Sequence, residues 1–388
     1  QLDGTDLLPE VLIGRISVRS STEMAIVVNK ILNYEKGTHA SSMLPYFEKA
    51  ALVGDPNSAS GYSTVITNEY IAEIMNAHDM EDVRLKISGG GWASWMQNQL
   101  NEGVLYFNYR GIYGVSGFDN GDIDAANNGF KLPFATIITC GTGSFAQDYT
   151  SMSEKFLRAG SISNPKGGIA SVGTATLSTH TMFNNAVNIG VYEGIFTQNL
   201  QTTGEGLVAG KANLYLNYPS DPNDWVTIFT HWNNLMGDPL THLWTNTPIA
   251  LSTEHESVIS ANSNYFNVVL SDEEGRPISN AIITLYKSDE HSMTSFTDDF
   301  GRAYFNLNYN SIGTVLVTSR CYNCIPKQTS FEITNALPDV VLIEDSININ
   351  DTLEGNSDGY GNPGEIVSLN FNIENQNYFL VLQFLFLY

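Results

Sequence analysis

"PFATIITCGTGSFAQ", residues 133–147, decides how this chain is read. From Pro133 to Thr139 the residues are mostly apolar or β-branched, the pattern of a strand buried on both faces. Cys140 follows at once, and Gly141 and Gly143 then break the strand before a polar stretch resumes. A buried strand that ends in a cysteine and a glycine turn presents a thiol at the edge of a sheet, where α/β proteins gather their functional groups. Cys140 is therefore a candidate nucleophile, and the amides of Gly141 and its neighbours are candidate oxyanion donors. The same cysteine also reads as a small buried hydrophobe, so catalysis requires a base beside it.

Outward from this strand, residues 1–246 alternate between strand and helix patterns. Strands are predicted at 10–17, 49–55, 103–111, 132–140 and 167–173, and helices at 20–36, 68–78, 151–160 and 184–200. Ser20 with Glu23 and Ser151 with Glu154 form capping boxes, which mark two of the helix starts. Met24, Val27, Val28, Ile31 and Leu32 are predicted to share the buried face of the first helix. Apolar strands separated by helices predict an α/β fold with a parallel sheet covered on both faces. Strands 103–111, 132–140 and 167–173 should be adjacent and parallel, with Cys140 at their carboxyl edge.

The pattern changes near Pro248. Short strands and turns such as Glu274-Gly275 then predict an all-β sandwich, and a third segment from about Asp339 reads as the first strands of another. The expected domains are 1–246, 247–336 and 337–388. The chain opens at Gln1 without a signal-peptide pattern and reads as entered partway through a folded unit. The apolar stretch after Asn377 is too short to cross a bilayer as a helix, so no membrane span is expected.

Charge narrows the function. With 18 Lys and Arg against 41 Asp and Glu, the net charge is −23. That argues against nucleic acid and anionic membranes, which need basic surfaces. It suits a secreted or surface-exposed protein and makes calcium, held in acidic loops, the expected non-catalytic ligand. Asp119, Asp122 and Asp124 read either as calcium ligands or as carboxylates at a helix N-terminus, and Asp351, Glu354, Asp358 and Glu365 form a second such loop. Cys321 and Cys324, with two residues between them, read as a local disulfide in a secreted β-sandwich.

Three polar, glycine-bearing loops should converge at the carboxyl edge of the sheet: 108–117, 139–147 and 173–181. They bring candidate binding residues Arg110 and Tyr113, the Cys140–Gly141 turn, and His180 as the one histidine expected near the thiol.

Residues 1–246 resemble the catalytic domain of the gingipain family of cysteine peptidases. The resemblance is carried by "PEVLIGRISVRSSTEMAIVVNKILNYEK" (9–36), "LYFNYRG" (105–111), "NNGFKLPFATIITCGTGSFA" (127–146), "SEKFLRAG" (153–160) and "NLMGDPLTHLWT" (234–245). It implies a caspase-like α/β fold lacking its first half-domain, Cys140 as nucleophile, and peptide or protein substrates. Residues 251–334 resemble the immunoglobulin-like domain that follows such catalytic domains, and the last segment resembles modules of cell-surface relatives. One departure is chemical. The family's catalytic histidine belongs in the turn after residues 105–111, where this chain reads Gly111-Ile112-Tyr113-Gly114. Ile112 cannot take a proton. Two readings follow: a peptidase that uses Cys140 with His180, or an inactive pseudopeptidase that serves surface adhesion or assembly with extracellular partners.

Overall fold

The computed structural model describes residues 9–57, 61–261, 263–335, 340–352, 355–364, 366–375 and 380–387. Its elements run α1 (Ser21–Glu35), β1 (Lys49–Gly54), α2 (Tyr62–Ala77), β2 (Asp82–Lys86), α3 (Trp92–Glu102), β3 (Tyr106–Arg110), α4 (Asn120–Ala125), β4 (Phe134–Ile137), α5 (Met152–Arg158), β5 (Ala170–Thr174), α6 (Thr181–Tyr192), α7 (Thr203–Asn217), α8 (Trp225–Trp232) and β6 (Asn233–Met236). The six strands form one sheet in the order β2-β1-β3-β4-β5-β6. All pairs are parallel except β5 with β6. The three predicted central strands are thus neighbours and parallel.

Burial on both faces explains their apolar sequences. Toward α3, α4 and α5 the strands send Val53, Phe107, Tyr109, Ala135 and Ile137 into one core with Met96, Leu100 and Phe156. Asn108 of β3 is fully buried, and its amide is fully used. It exchanges hydrogen bonds with Asn188 of α6 at 2.8 and 3.0 Å, donates to Asn68 of α2 at 2.8 Å, and accepts from Thr136 of β4 at 2.5 Å. A buried polar network is tolerated here because every member has a partner.

The expected strand at 10–17 is instead extended chain, joined to β6 by a single bridge, Arg15 to Met236. β6 has four residues and gives it little to pair with. In α1, Ser20 accepts the Glu23 amide as predicted, at 3.2 Å. The predicted apolar face is split, however. Ile26, Val27, Lys30 and Tyr34 are buried, whereas Met24, Val28 and Leu32 are exposed at i, i+4 and i+8. The Lys30 ammonium is the reason. It donates to the carbonyls of Leu157 (2.9 Å), Lys166 (2.5 Å) and Phe156 (3.2 Å), which turns this side of α1 onto the end of α5. Burial pushes the Lys30 amine down to a pKa of about 7.

The chain divides into two compact units, Gln1–Pro248 and Ile249–Tyr388. The second holds β7 (Leu251–Glu254), β8 (Val258–Ser260), β9 (Tyr265–Asp272), β10 (Ile282–Tyr286), β11 (Ser292–Phe296), β12 (Arg302–Asn306), β13 (Gly313–Arg320) and β14 (Lys327–Thr334). These make two sheets, β11-β10-β13-β14-β8 and β12-β9-β7, around Phe266, Leu285, Phe305, Val317 and Phe331. Strict alternation in β9 and β12 buries every second side chain, as sandwich packing requires. Cys321 and Cys324 form the expected disulfide. A third sheet follows, with β15 (Val340–Asn350), β16 (Ser368–Asn375) and β17 (Leu380–Leu387) antiparallel. Among the described residues no helix is long and apolar enough to cross a membrane.

Candidate active site

The carboxyl edge of the central strands builds the site. β4 ends at Ile137, earlier than predicted, because the Thr142 hydroxyl draws the carbonyls of Ile137 and Thr139 into a turn. Cys140 therefore stands beyond the strand, half-buried and unpaired with any other cysteine. Gly141 follows with φ +74°, a conformation that disfavours any side chain. Gly143 presses on β5: a Cβ there would lie 2.7 Å from the carbonyl carbon and oxygen of Gly173. Backbone meets backbone at that point, so Gly143→Ala is expected to destabilise the fold by about 1–3 kcal/mol. Urea denaturation measures this, and an unchanged midpoint would show that the turn yields freely.

The thiol opens onto a cleft of about 490 Å³ lined by Tyr113, Gly114, Asp119, Gly141, Tyr149 and Met152, among others. Tyr113 is exposed on the rim, where the sequence placed it. Cys140 Sγ lies 2.9 Å from the Thr179 hydroxyl. The 173–181 loop does reach the cysteine, but Thr179 makes the contact. The neighbouring His180 caps α6 instead. Its Nδ1 accepts the Met182 amide at 3.2 Å, its ring packs on Phe183, and it lines a different cavity, with Ser63, Tyr70 and Asn185. A side chain that accepts a backbone N–H at a helix start satisfies one of the unpaired donors there, which is what turns the imidazole toward α6.

Two binding assignments change in the same way. Arg110 is 1 % exposed. Its guanidinium donates to the Ile138 carbonyl, to Asn185 Oδ1 at 2.8 Å and to the Thr181 carbonyl at 3.2 Å. It ties the ends of β3, β4 and α6 together and does not present donors to the cleft. Burial lowers it to a pKa of about 10, against the opposing pull of Tyr109 and Cys140. The Gly141 amide donates to the Thr176 carbonyl at 2.6 Å, and the Gly143 amide to that of Thr174 at 3.0 Å. Neither is free for an oxyanion. The closed turn needs both bonds to hold the loop on β5.

The acidic loop has intramolecular work. Asp119 caps α4 by accepting the Gly121 amide at 2.6 Å, and Asp122 returns the bond to the Asp119 amide at 2.9 Å. Asp124 pairs with Lys155 at 2.7 Å. Among the described residues no group of three or more His, Cys, Asp or Glu side chains converges as a metal site. Of the second acidic loop, Asp351 accepts the Asp358 and Gly359 amides, while Glu354 and Glu365 lie outside the described residues.

Asp55 went unassigned in the sequence, although it ends an apolar strand. It is 1 % exposed at the end of β1. It accepts the amide and side chain of Asn57, each at 2.8 Å, and the Ser116 hydroxyl. A Cβ on Gly111 would lie 2.8 Å from the Asp55 Cβ. A buried carboxylate thus stands beside the turn that carries Ile112. Among the described residues, Cys140 lines the cleft and no histidine does, and Asp55 lies beside the 111–116 turn that borders it.

The comparisons agree with this geometry. The model of "Peptidase family C25" matches residues 1–244. Gingipain R2 of Porphyromonas gingivalis is 23% identical over 318 residues, covering 79% of this chain and 42% of that protein. Gingipain R1 of the same organism is 24% identical over 177 residues, covering 44% and 18%. The chain therefore spans less than half the length of the curated relatives it matches. The crystal structure of the Arg-specific cysteine proteinase gingipain R superposes with a TM-score of 0.75 at 20% identity, covering 85% of this chain and 77% of that one. That likeness gives the caspase-like fold. A family match over more than half the chain, on a sheet that delivers Cys140 to its carboxyl edge, leads to one conclusion: the chain belongs to peptidase family C25.

Proposed function

We propose that the first unit is a pseudopeptidase, a peptide-binding domain that keeps the cleft and the thiol of its family without turnover. What supports this reading is Ile112, which follows Gly111, the neighbour of Asp55, in the turn where the family resemblance places the base. His180 does not replace it, because its ring is engaged at the start of α6. An unassisted cysteine thiol has a pKa of about 8.5, so a few per cent is thiolate at neutral pH. Without a positioned acid–base group, hydrolysis falls by about 10²–10⁴. What remains is a half-buried thiol in a cleft sized for a side chain and its flanking backbone. The ligands are peptide or protein segments. The acidity, the disulfide and the β-sandwich favour work outside the cell, at a bacterial surface, in adhesion or assembly.

A second reading keeps the enzyme. Thr179 touches the thiol, so a rotation of the residues after it would carry His180 toward Cys140. Rate data separate the two. The full chain, assayed on a panel of fluorogenic peptides, is expected to hydrolyse none faster than its Cys140→Ala variant. His180→Ala is expected to leave the rate at which iodoacetamide labels Cys140 near pH 6 unchanged. Cys140-dependent hydrolysis, or fast labelling that His180→Ala abolishes, would establish the enzyme instead.

A further inference from the structure

The outer face of the β9–β12 sheet carries residues that packing does not explain. Phe266, Val268, Leu270, Ala303 and Phe305 point inward and are buried. The alternate positions hold Tyr265, Asn267, Tyr304 and Asn306. In the antiparallel register Tyr265 stands opposite Asn306, and Asn267 opposite Tyr304. Tyrosine and asparagine therefore form a checkerboard. The two rings are 57% and 47% exposed, with centroids 6.2 Å apart and planes inclined by 35°.

Asparagine is a poor strand residue and is normally repaid by a hydrogen bond. Among the described residues none engages the side-chain amides of Asn264, Asn267 or Asn306. Tyr265, Tyr304, Asn264 and Asn306 line a groove of about 680 Å³, within the same unit, whose other wall includes Leu342 of β15 and Phe371 of β16. Arg302 of β12 stands on the same face outside it, and among the described residues no charged side chain lines the groove. That is unusual in a chain with 41 acidic and 18 basic residues.

We propose that this groove binds a neutral oligosaccharide. A pyranose ring has apolar C–H faces edged with hydroxyls. Exposed tyrosine rings offer flat amphipathic area to the faces. Each asparagine amide places a donor and an acceptor side by side, matching two neighbouring hydroxyls. Within the groove the described lining offers an anionic glycan or a charged peptide no charge to pair with. The volume lies within the range of small-molecule sites, about 300–1,000 Å³.

The test uses the full chain and calorimetric titration with cellohexaose, mannohexaose, maltohexaose and chitohexaose. A heparin-derived hexasaccharide and an oligogalacturonate are the charged controls. At least one neutral probe is expected to bind saturably, and both controls to fail. Tyr304→Ala and Tyr265→Ala should each weaken binding by about tenfold, the usual consequence of losing a stacking ring. Asn306→Ala should weaken it as well, while Tyr304→Phe keeps the stacking and most of the affinity. All three positions are on the outer face, and melting curves check that each of the four variants is folded. The proposal is overturned if no neutral probe binds, if the charged controls bind as well, or if the alanine variants bind like the parent chain.

Discussion

Ile112→His is expected to turn this chain into a measurable peptidase, with hydrolysis rising about 10²–10⁴-fold over the parent. The thiol and the turn that would carry the base are in place, although the Gly141 and Gly143 amides are bonded to the 173–181 loop. Cys140 stands at the cleft, and the 111–116 turn is held by Tyr109, whose hydroxyl donates to the Ile112 carbonyl at 3.2 Å and meets Ser116 at 2.7 Å. Asp55 lies beside that turn, so an imidazole introduced there would have a carboxylate to fix its orientation and stabilise its charged form. The new activity should vanish with Cys140→Ala and drop sharply with Asp55→Asn. A folded Ile112→His variant that hydrolyses nothing in the fluorogenic panel would mean that the cleft is not preorganised for catalysis.

A large effect on stability is expected from Lys30. Its folded pKa is about 7, depressed by burial. In the unfolded chain it returns to about 10.5. Between these values the unfolded state holds a proton that the folded state has released, so stability rises with pH across the window. From pH 7 to 9.5 the gain from this residue is roughly 3 kcal/mol. Lys30→Met should flatten the rise. At pH 9.5 the variant should also be less stable than the parent by about 2 kcal/mol or more, because the carbonyls of Leu157 and Lys166 lose the amine that donates to them. Urea denaturation at the two pH values measures both effects. Parallel pH curves for parent and variant would show that the ammonium stays charged within its carbonyl cage.

The central sheet was legible because its signal is local. β3, β4 and β5 are continuous apolar runs, and a run buried on both faces is hard to mistake. Residues 200–246 were not legible. α7 carries Gly204, Gly206 and Gly210, which depress helix propensity. The structure shows what they are for. A Cβ on Gly210 would meet the Val187 carbonyl at 2.6 Å, and one on Gly190 the Asn213 Cβ at 2.4 Å, so α6 and α7 pack backbone to backbone. Tertiary contact overrode propensity there. At the site, the sequence located the thiol and the loop that reaches it. It could not tell which residue of that loop makes the contact. Thr179 and His180 are adjacent, and the choice between them depends on how α6 is capped.

β2 borders the sheet and carries Asp82, Arg84 and Lys86 at alternate positions. Arg84 is clamped between Asp82 at 2.6 Å and Glu102 at 2.5 Å. A second chain adding a strand here would have to strip water from these charges and pull the clamp apart. Natural sheets guard open borders against aggregation in this way. Along this border the sheet ends with β2, and stacking of copies into fibrils through it is disfavoured.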